Sequence, residues 1–562
     1  MYFEKPFQQP SVMNAQQHFS RVPNVEIERS TFDRSHAYKT TFNAGALIPF
    51  FVDEVLPGDT HDMETAAFVR LATPLKPFMD NLYLDIHFFF VPMRLVWRDW
   101  QKFMGERPTP DEDPDDYSIP QVEWSPLTYP SPYWGTVGAY MGLPLQKESA
   151  EDDLFVSALP GRAYALIWNE WYRDQNLQDS IDIEFGDTNP ALDTFYAQDV
   201  GAFHRGKRHD YFTSCLPWPQ KGDQITIPIG DEAIVRGYRP ADTNNWTPFA
   251  AYGLQGGFID SPVQIVGGTP AGSGGVPEYH ILNGLDWQDA SDEGMFLDPA
   301  KQVGIADLST ATSISINDLR TAFQIQRLLE RDARGGTRYI ELILSHFGVV
   351  SSDARLQRPE YLGGGTTRIN INPVASTAAV PDEAPQGNLA AVGTGFNRSG
   401  FTKSFEEHGY VIGLMSARAD LTYQRGVERF WSRTTRYDFY WPALAHLGEQ
   451  AVLNKEIWYV GNDTVDNAVF GYQERYAEYR YKPSIVTGLF NSDADSSLDV
   501  WHLAQDFENL PVLNGSFIRE NPPVDRIIAV PGEPHFLCDI WNDLKSTRPM
   551  PVYSVPGLID HF

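Results

Sequence analysis

The amino-acid sequence predicts a mainly β chain whose strands are joined by long ordered loops, with only a few short helices. Three observations carry that expectation. Aromatic residues make up 13% of 562 positions and sit among 41 Pro and 44 Gly, a mixture that favours many short strands over a helical bundle. From Asn81 to Val91, Leu82, Leu84, Ile86, Phe88 and Phe90 alternate with Tyr83, Asp85 and His87, the period of a strand with one apolar face. Helical periodicity is confined to three stretches. A chain of this length can bury a large core, and length alone allows about two to four domains. A charged fraction of 21% with this aromatic content argues against global disorder.

Taken in order, residues 1–40 read as an extended arm leading into the fold. Ala66–Leu71 and Asn81–Val91 are predicted strands. Arg94–Met104 is the first predicted helix, with Val96, Trp100, Phe103 and Met104 on one stripe and Gly105 to end it. Residues 106–160 are proline-rich and irregular. Their acidic run DEDPDD at 111–116 contains Pro114 and lacks the glycine and distal Glu of a calcium loop, so it reads as a solvated loop. Arg162–Leu177 is the second helix, because Tyr164, Ile167, Trp168 and Trp171 recur at helical spacing. Between a strand-like run, Gln224–Ile229, and the third helix, residues 231–306 turn glycine-rich and aperiodic, the mark of an insertion. The Gly267–Gly275 cluster has no GK[ST] ending and fits no phosphate-binding loop. The third helix, SINDLRTAFQIQRLLERDARGG, opens on Ser315 with Asp318 and carries Leu319, Ala322, Phe323, Leu328 and Leu329 on a broad apolar face. Residues 371–400 read as a connection. Tyr410–Met415, Glu456–Val460, Tyr476–Tyr481 and Asp525–Val530 are the remaining predicted strands.

The chemistry expected of an enzyme is missing from the sequence. It holds no HExxH, no zinc-spaced His/Cys cluster, no GxSxG elbow and no Walker A motif, so no catalytic, cofactor or metal residue is assigned. Cys215 and Cys538 cannot build a disulfide framework, and sparse cysteine suits a reducing cytosol. The opening MYFEKPFQQPSVMNAQQHF lacks the apolar centre of a secretory signal. Apolar runs such as Ala44–Val52 and Phe88–Met93 fall far short of the ~20 residues a membrane helix needs, so a soluble chain without membrane insertion is expected. Acidic residues outnumber basic ones 74 to 44, a formal charge of −30, which argues against a chain whose main task is coating nucleic acid. One basic cluster stands out: His204, Arg205, Lys207, Arg208 and His209, followed by Tyr211 and Phe212. Such a cluster could meet phosphates and stack bases, or its arginines could pair with the chain's many carboxylates. Arg331, Arg334, Arg338, Arg355 and Arg358 alternate with Glu330, Asp332, Glu341 and Asp353, a pattern suited to structural ion pairs.

Long phrases of the chain then resemble one family. TFDRSHAYKTTFNAG with FVDEVLPGDT, LATPLKPFMDNLYLDIHFFFVPMRLVW, RAYALIWNEWYRDQNLQ, KRHDYFTSCLPWPQKG, NDLRTAFQIQRLLERDARGGTRYIELILSHFGV, DARLQRPEYLGG and FGYQERYAEYRYKPS follow one another from about residue 31 to 482. They resemble the major capsid protein of the microviruses, small icosahedral phages with single-stranded DNA, and most of all its gokushovirus branch. The resemblance implies an eight-stranded antiparallel jelly roll, the viral β-barrel, with long loop insertions and an N-terminal arm. It implies self-assembly into a T=1 shell of 60 copies around a circular genome, in a virion put together in the bacterial cytoplasm, with a minor pilot-type protein as a further component. It places residues 231–306 where the family carries a threefold protrusion proposed to meet the host surface. The family has no catalytic residues to carry over.

Physical chemistry adds four expectations. Sixty such chains would carry on the order of 1,800 negative charges, so a small basic DNA-binding protein, polyamines or divalent cations would have to accompany the genome. The 204–209 cluster is the candidate DNA-facing patch. In the insertion, Trp246, Phe249, Tyr252 and Phe258 are either an exposed host-receptor surface or the insertion's own small core. Trp97, Trp100 and the 31–52 segment are expected in core or neighbour contacts. The competing reading is a β-sandwich carbohydrate-binding protein or hydrolase.

Overall fold

The computed structural model describes residues 27–107, 109, 111, 113, 116–124, 135–144, 154–183, 185–186, 201–222, 316–355, 357–377 and 386–553, together with short strands at 234–236, 264–267, 279–283, 286–289 and 305–307. The chain divides into two compact units, residues 222–330 and the remainder.

The larger unit is built on one curled antiparallel sheet. Its strands are β1 (Ser30–Asp33), β2 (His36–Phe42), β3 (Ile48–Val55), β4 (Thr60–Leu71), β5 (Leu82–Pro92), β6 (Glu360–Ala375), β7 (Leu389–Ser404), β8 (Gly409–Ala419) and β9 (Phe536–Arg548). Across the sheet the order is β1–β9–β4–β7–β6–β5–β8–β3, with β2 also on β9. β1 pairs with residues 545–548 of β9 and β2 with 536–542, so the two form one interrupted edge and the sheet has eight strand positions. This mainly β, half-barrel arrangement with few short helices is the one the sequence predicted.

The curl comes from two long strands that change partners. β6 pairs with β5 through Ile369 and with β7 from Asn370 onward, while β7 passes from β6 to β4 at Thr394. Glycine permits the backbones to approach at these bends. A Cβ on Gly400 would lie 2.0 Å from the Met63 carbonyl oxygen, and one on Gly364 would lie 2.2 Å from that of Ile86. Residues 371–375 and 389–400 are therefore strand rather than connection: Gly393, Gly395 and Gly400, part of what suggested a loop, sit where a Cβ would collide with the paired strands.

Apolar alternation places the main core inside the curl. Leu82, Leu84, Ile86, Phe88 and Phe90 of β5 point inward with Phe42, Phe50, Phe51, Met63, Val69, Phe401 and Phe536. Each aromatic ring removes roughly 150–250 Å² from water, on the order of 4–6 kcal/mol before entropy is charged. The opposite face of β5 offers Phe89 and Val91 to a second core with Trp97, Trp100, Tyr164 and Trp168. Tyr164 is satisfied there, its hydroxyl donating to the Leu47 carbonyl at 2.8 Å and accepting from Phe203 N–H at 2.9 Å. A third core joins Tyr211, Phe212, Tyr423, Trp458 and Phe470.

Several local expectations are corrected. Arg94–Met104 is a 3-10 turn, Met93–Leu95, then a single α-turn, Trp100–Phe103, which aim Trp97 and Trp100 into the second core. The second helix, α1 (Leu159–Ile167), continues as a π-turn over Trp168–Tyr172 and stops before Leu177. The Asp174 carboxylate captures the Asn176 and Leu177 N–H groups at 2.9 and 3.0 Å and makes a turn instead. Within 106–160, Gln121–Trp124 and Leu154–Ser157 form a ribbon. Glu456–Val460 is no strand, because the Glu456 carboxylate accepts Leu453 N–H at 3.0 Å and closes the helical turn Asn454–Ile457. Tyr476 takes φ +65° and opens a 3-10 turn, and Val524–Arg526 is another 3-10 turn. The third helix, α2, spans Ile316–Gly335 as predicted, with Leu319, Phe323 and Leu328 exposed.

In the smaller unit, Gln264–Gly267, Tyr279–Asn283 and Asp286–Asp289 form a three-stranded antiparallel sheet. Ile234–Arg236 pairs antiparallel with Ile305–Asp307, so the two ends of this stretch run side by side. Trp246, Phe249, Tyr252 and Phe258 lie outside the described residues. No helix among the described residues is long and apolar enough to cross a membrane.

Candidate assembly surface and basic cluster

The basic cluster is held in an extended segment between two other pieces of chain. Arg205 N–H donates to Gly45, Glu520 N–H to Arg205 and Lys207 N–H to Ile518. The side chains then separate. Arg205 and Arg418 both bind the Asp85 carboxylate, which is only 4% exposed, with Arg418 Nε at 2.6 Å. Burial pushes the Asp85 carboxyl up, but the two guanidiniums outweigh it and hold it below the usual range. Burial lowers His204, whose Nδ1–H donates to the Glu520 carbonyl at 3.0 Å. Lys207 is buried against the Phe517 ring, 4.3 Å from its centroid, and donates to Gln505 Oε1 at 2.9 Å. Desolvation pulls its ammonium down to about 8. Arg208 is 55% exposed, 3.9 Å from Asp420 and stacked over Tyr83, and His209 is exposed. Arg205 and Lys207 are thus engaged within the chain, while Arg208 and His209 face solvent.

The arginines in and after the last turns of α2 behave as structural pairs in three cases. Arg334 binds Glu449 and Gln473, Arg338 binds Glu341 at 3.2 Å, and Arg358 lies 3.4 Å from Asp353 with its guanidinium over Trp171. Arg331 and Arg355 are exposed. Both cysteines are buried and free, and the described residues contain no group of three metal-ligating side chains.

A second surface escaped sequence reasoning. Over Arg429–Leu447 the chain exposes Phe430, Trp431, Tyr437, Phe439, Tyr440, Trp441 and Leu447, joined by Tyr479, Ile485 and Leu489. The loop that carries them is built, not loose. Asp438 accepts Thr434 and Thr435 N–H at 2.9 and 2.7 Å, Trp441 Nε1–H donates to the Arg436 carbonyl at 2.8 Å, and Tyr476 O–H donates to Tyr437. Three of its cations are already neutralised, Arg429 on Glu456 at 2.9 Å, Arg433 on Glu478 at 3.3 Å and Lys482 on Glu428 at 2.6 Å, while the exposed Arg436 stacks on Tyr437 without an ion pair among the described residues. Arg433 also stacks on Tyr479, 4.3 Å from the ring centroid. Beside the ridge runs a groove of about 310 Å³ lined by Phe212, Phe430, Trp431, Glu456, Tyr481 and Ile485. What remains for a partner is aromatic and close to neutral. Monomeric proteins seldom leave such an area open, and Trp, Tyr and Arg are the residues that anchor interfaces. The signal was present in the string RFWSRTTRYDFYW, where arginine and aromatic residues interleave.

Comparison with known proteins fits this picture. Residues 20–558 match the family described as "Capsid protein (F protein)". Over 556 residues the chain is 45% identical to the capsid protein VP1 of Bdellovibrio phage phiMH2K, spanning 97% of this chain and 98% of that one. It is 44% identical over 599 residues to VP1 of Chlamydia phage 1, covering 98% of each. Against VP1 of Spiroplasma virus 4 the identity is 35% over 567 residues, 98% of this chain and 99% of that one. A half-barrel sheet with an uncovered aromatic ridge, matched from end to end by phage capsid proteins, belongs to the phage capsid protein (F protein) family.

Proposed function

We propose that this structural capsid protein closes a T=1 icosahedral shell of 60 copies around a circular single-stranded DNA genome, and that the 429–447 ridge is one of its intersubunit contacts. The observation that carries the reading is the ridge itself, aromatic, ordered and with three of its cations paired inside the chain. A role without catalysis agrees with that surface and with the family. The virion is the protein's place, reached by assembly in the bacterial cytoplasm. Its partners are further copies of itself, the enclosed DNA, a small basic packaging protein that offsets the charge of −30 per copy, and a minor pilot-type protein. Residues 231–306 form the surface insertion that meets a host receptor, with Trp246, Phe249, Tyr252 and Phe258 as its recognition residues. Arg208 and His209 are the exposed members of the DNA-facing cluster.

Electron microscopy and sedimentation of the purified full-length chain test the first part. Closed shells or pentamers are expected, and a monomer at every concentration and ionic strength overturns it. Deleting 235–300 is expected to leave particles intact and abolish adsorption to host cells, and unchanged adsorption removes the insertion from attachment.

A further inference from the structure

Next to the basic cluster lies a cavity of about 480 Å³, formed by Lys207 and by residues between Gln505 and Pro523. Lys207 lines it and is 7% exposed. Its ammonium is met by a neutral amide, Gln505, and by the faces of Phe517 and Phe507 at 4.3 and 5.9 Å, and it makes no ion pair among the described residues. No carboxylate among the described residues comes within ion-pair distance of Lys207. Arg205, Arg418 and Lys207 are three inward cations near Asp85, Glu520 and the half-buried Asp210, and the last two reach Lys207 only through space. Asp85 is taken by both guanidiniums, and Arg418 still has a buried Nη1 without a partner. Glu520 accepts Ala419 N–H at 3.3 Å. Asp506 is the one carboxylate lining the cavity, and Arg425 holds it at 3.3 Å. Arg519, exposed on the same cavity, adds a second cation. A buried ammonium without an ion pair, beside an open cavity, is costly unless an anion completes it.

We propose that this cavity binds a phosphate of single-stranded DNA, with Lys207 and Arg519 as its cationic ligands. The proposal rests on the reading that the shell encloses such DNA. Phosphate suits the site because both cations line a space that also presents Asn514, Ser516 and Asn521. The apolar wall of Pro511 and Val512 leaves room for the attached sugar and base.

The test uses the full-length chain and two probes, a labelled dT hexamer and inorganic phosphate, in parent protein, Lys207→Met and Arg519→Gln. Hexamer affinity is expected to fall at least about tenfold in each variant, and the slope of log affinity against log salt is expected to drop by about 0.7. Arg519 is exposed, so its variant reports on binding even if Lys207→Met disturbs the fold. Equal hexamer binding in all three proteins, or none in the parent, overturns the proposal. So does binding of inorganic phosphate with no binding of the hexamer, which would make the cavity a free-anion site. DNA content of assembled particles is measured alongside. Particles that hold DNA while the variants bind the hexamer normally remove the cavity alone, whereas particles that never hold DNA remove the reading beneath it.

Discussion

Trp431→Ala is the most direct probe of assembly. The indole is 74% exposed in the single chain, packed only along one side against Phe430 at 4.6 Å between ring centroids. Covering it with a neighbour removes up to ~180 Å² from water, worth about 4 kcal/mol as an upper limit. Imperfect cover and ordering costs reduce that to roughly 2–4 kcal/mol, the range of an interface anchor. Each contact should then weaken roughly 30- to 1,000-fold. The fold should not notice, since an exposed side chain outside the core changes stability by about 0.5 kcal/mol or less. Trp97, fully buried, provides the contrast: its removal costs about 3–5 kcal/mol and reports on folding rather than assembly. Sedimentation velocity over a concentration series, paired with a denaturant titration, separates the two. Assembly of Trp431→Ala at the parent concentration, with an unchanged unfolding midpoint, refutes the ridge as an interface.

Other perturbations test the frame that holds these surfaces. Asp85→Asn removes the carboxylate shared by Arg205 and Arg418 and should cost about 3–5 kcal/mol in a denaturant titration, so a loss under about 1 kcal/mol would mean that water already screens the pair. Gly400→Ala places a Cβ 2.0 Å from the Met63 carbonyl oxygen, and β4 and β7 cannot keep their register; proteolysis of the variant should cut at this ribbon, and parent-like resistance contradicts the close approach. His61, His87, His204 and His535 are all lowered by burial, so each stays neutral in the fold where the unfolded chain would take up a proton. Their stabilisation is complete above the unfolded value of 6.5 and is lost as pH falls below it, at no more than about 1.4 kcal/mol per histidine per pH unit. The denaturant midpoint should therefore drop between about pH 7.5 and 5.5, and a flat midpoint would place these imidazoles in water.

What could be read in advance depended on whether the deciding neighbour lay close in sequence. β5 was legible because its own alternation sets its inward face. Its other face was not: Asp85 looks like a solvent residue until Arg205 and Arg418 arrive from 120 and 333 positions away. β9 went unseen because its inward row mixes Phe536, Cys538, Ile540 and Leu544 with Asn542 and Ser546, while Leu537 and Trp541 point outward. Asn542 is tolerable inside because Thr65 Oγ1 donates to its Oδ1 at 2.8 Å and its Nδ2 donates to His36 Nε2 at 3.3 Å, each from a paired strand. The basic cluster was visible as charge, yet which of its members stay in solvent was decided by Asp85, Gln505 and Phe517. The aromatic ridge needed no distant partner, and weighting arginine beside aromatic residues would have found it.

The charge of −30 sharpens the argument for the ridge. Copies this acidic repel one another, and beyond a Debye length of about 8–10 Å salt removes most of that repulsion. Two designs could overcome it. Ion pairs formed between subunits would attract at low salt and weaken as salt is added. A contact whose ions are paired within each chain gains nothing from low salt and assembles more readily as the background repulsion is screened. Arg429 with Glu456, Arg433 with Glu478 and Lys482 with Glu428 place three of the ridge's cations in the second class, with the exposed Arg436 beside Tyr437 as the exception. Light scattering should therefore find shell formation promoted between about 10 and 150 mM salt, with the critical concentration falling. Dissolution over the same interval would mean that charges cross the contact, and the aromatic ridge would then be a bystander.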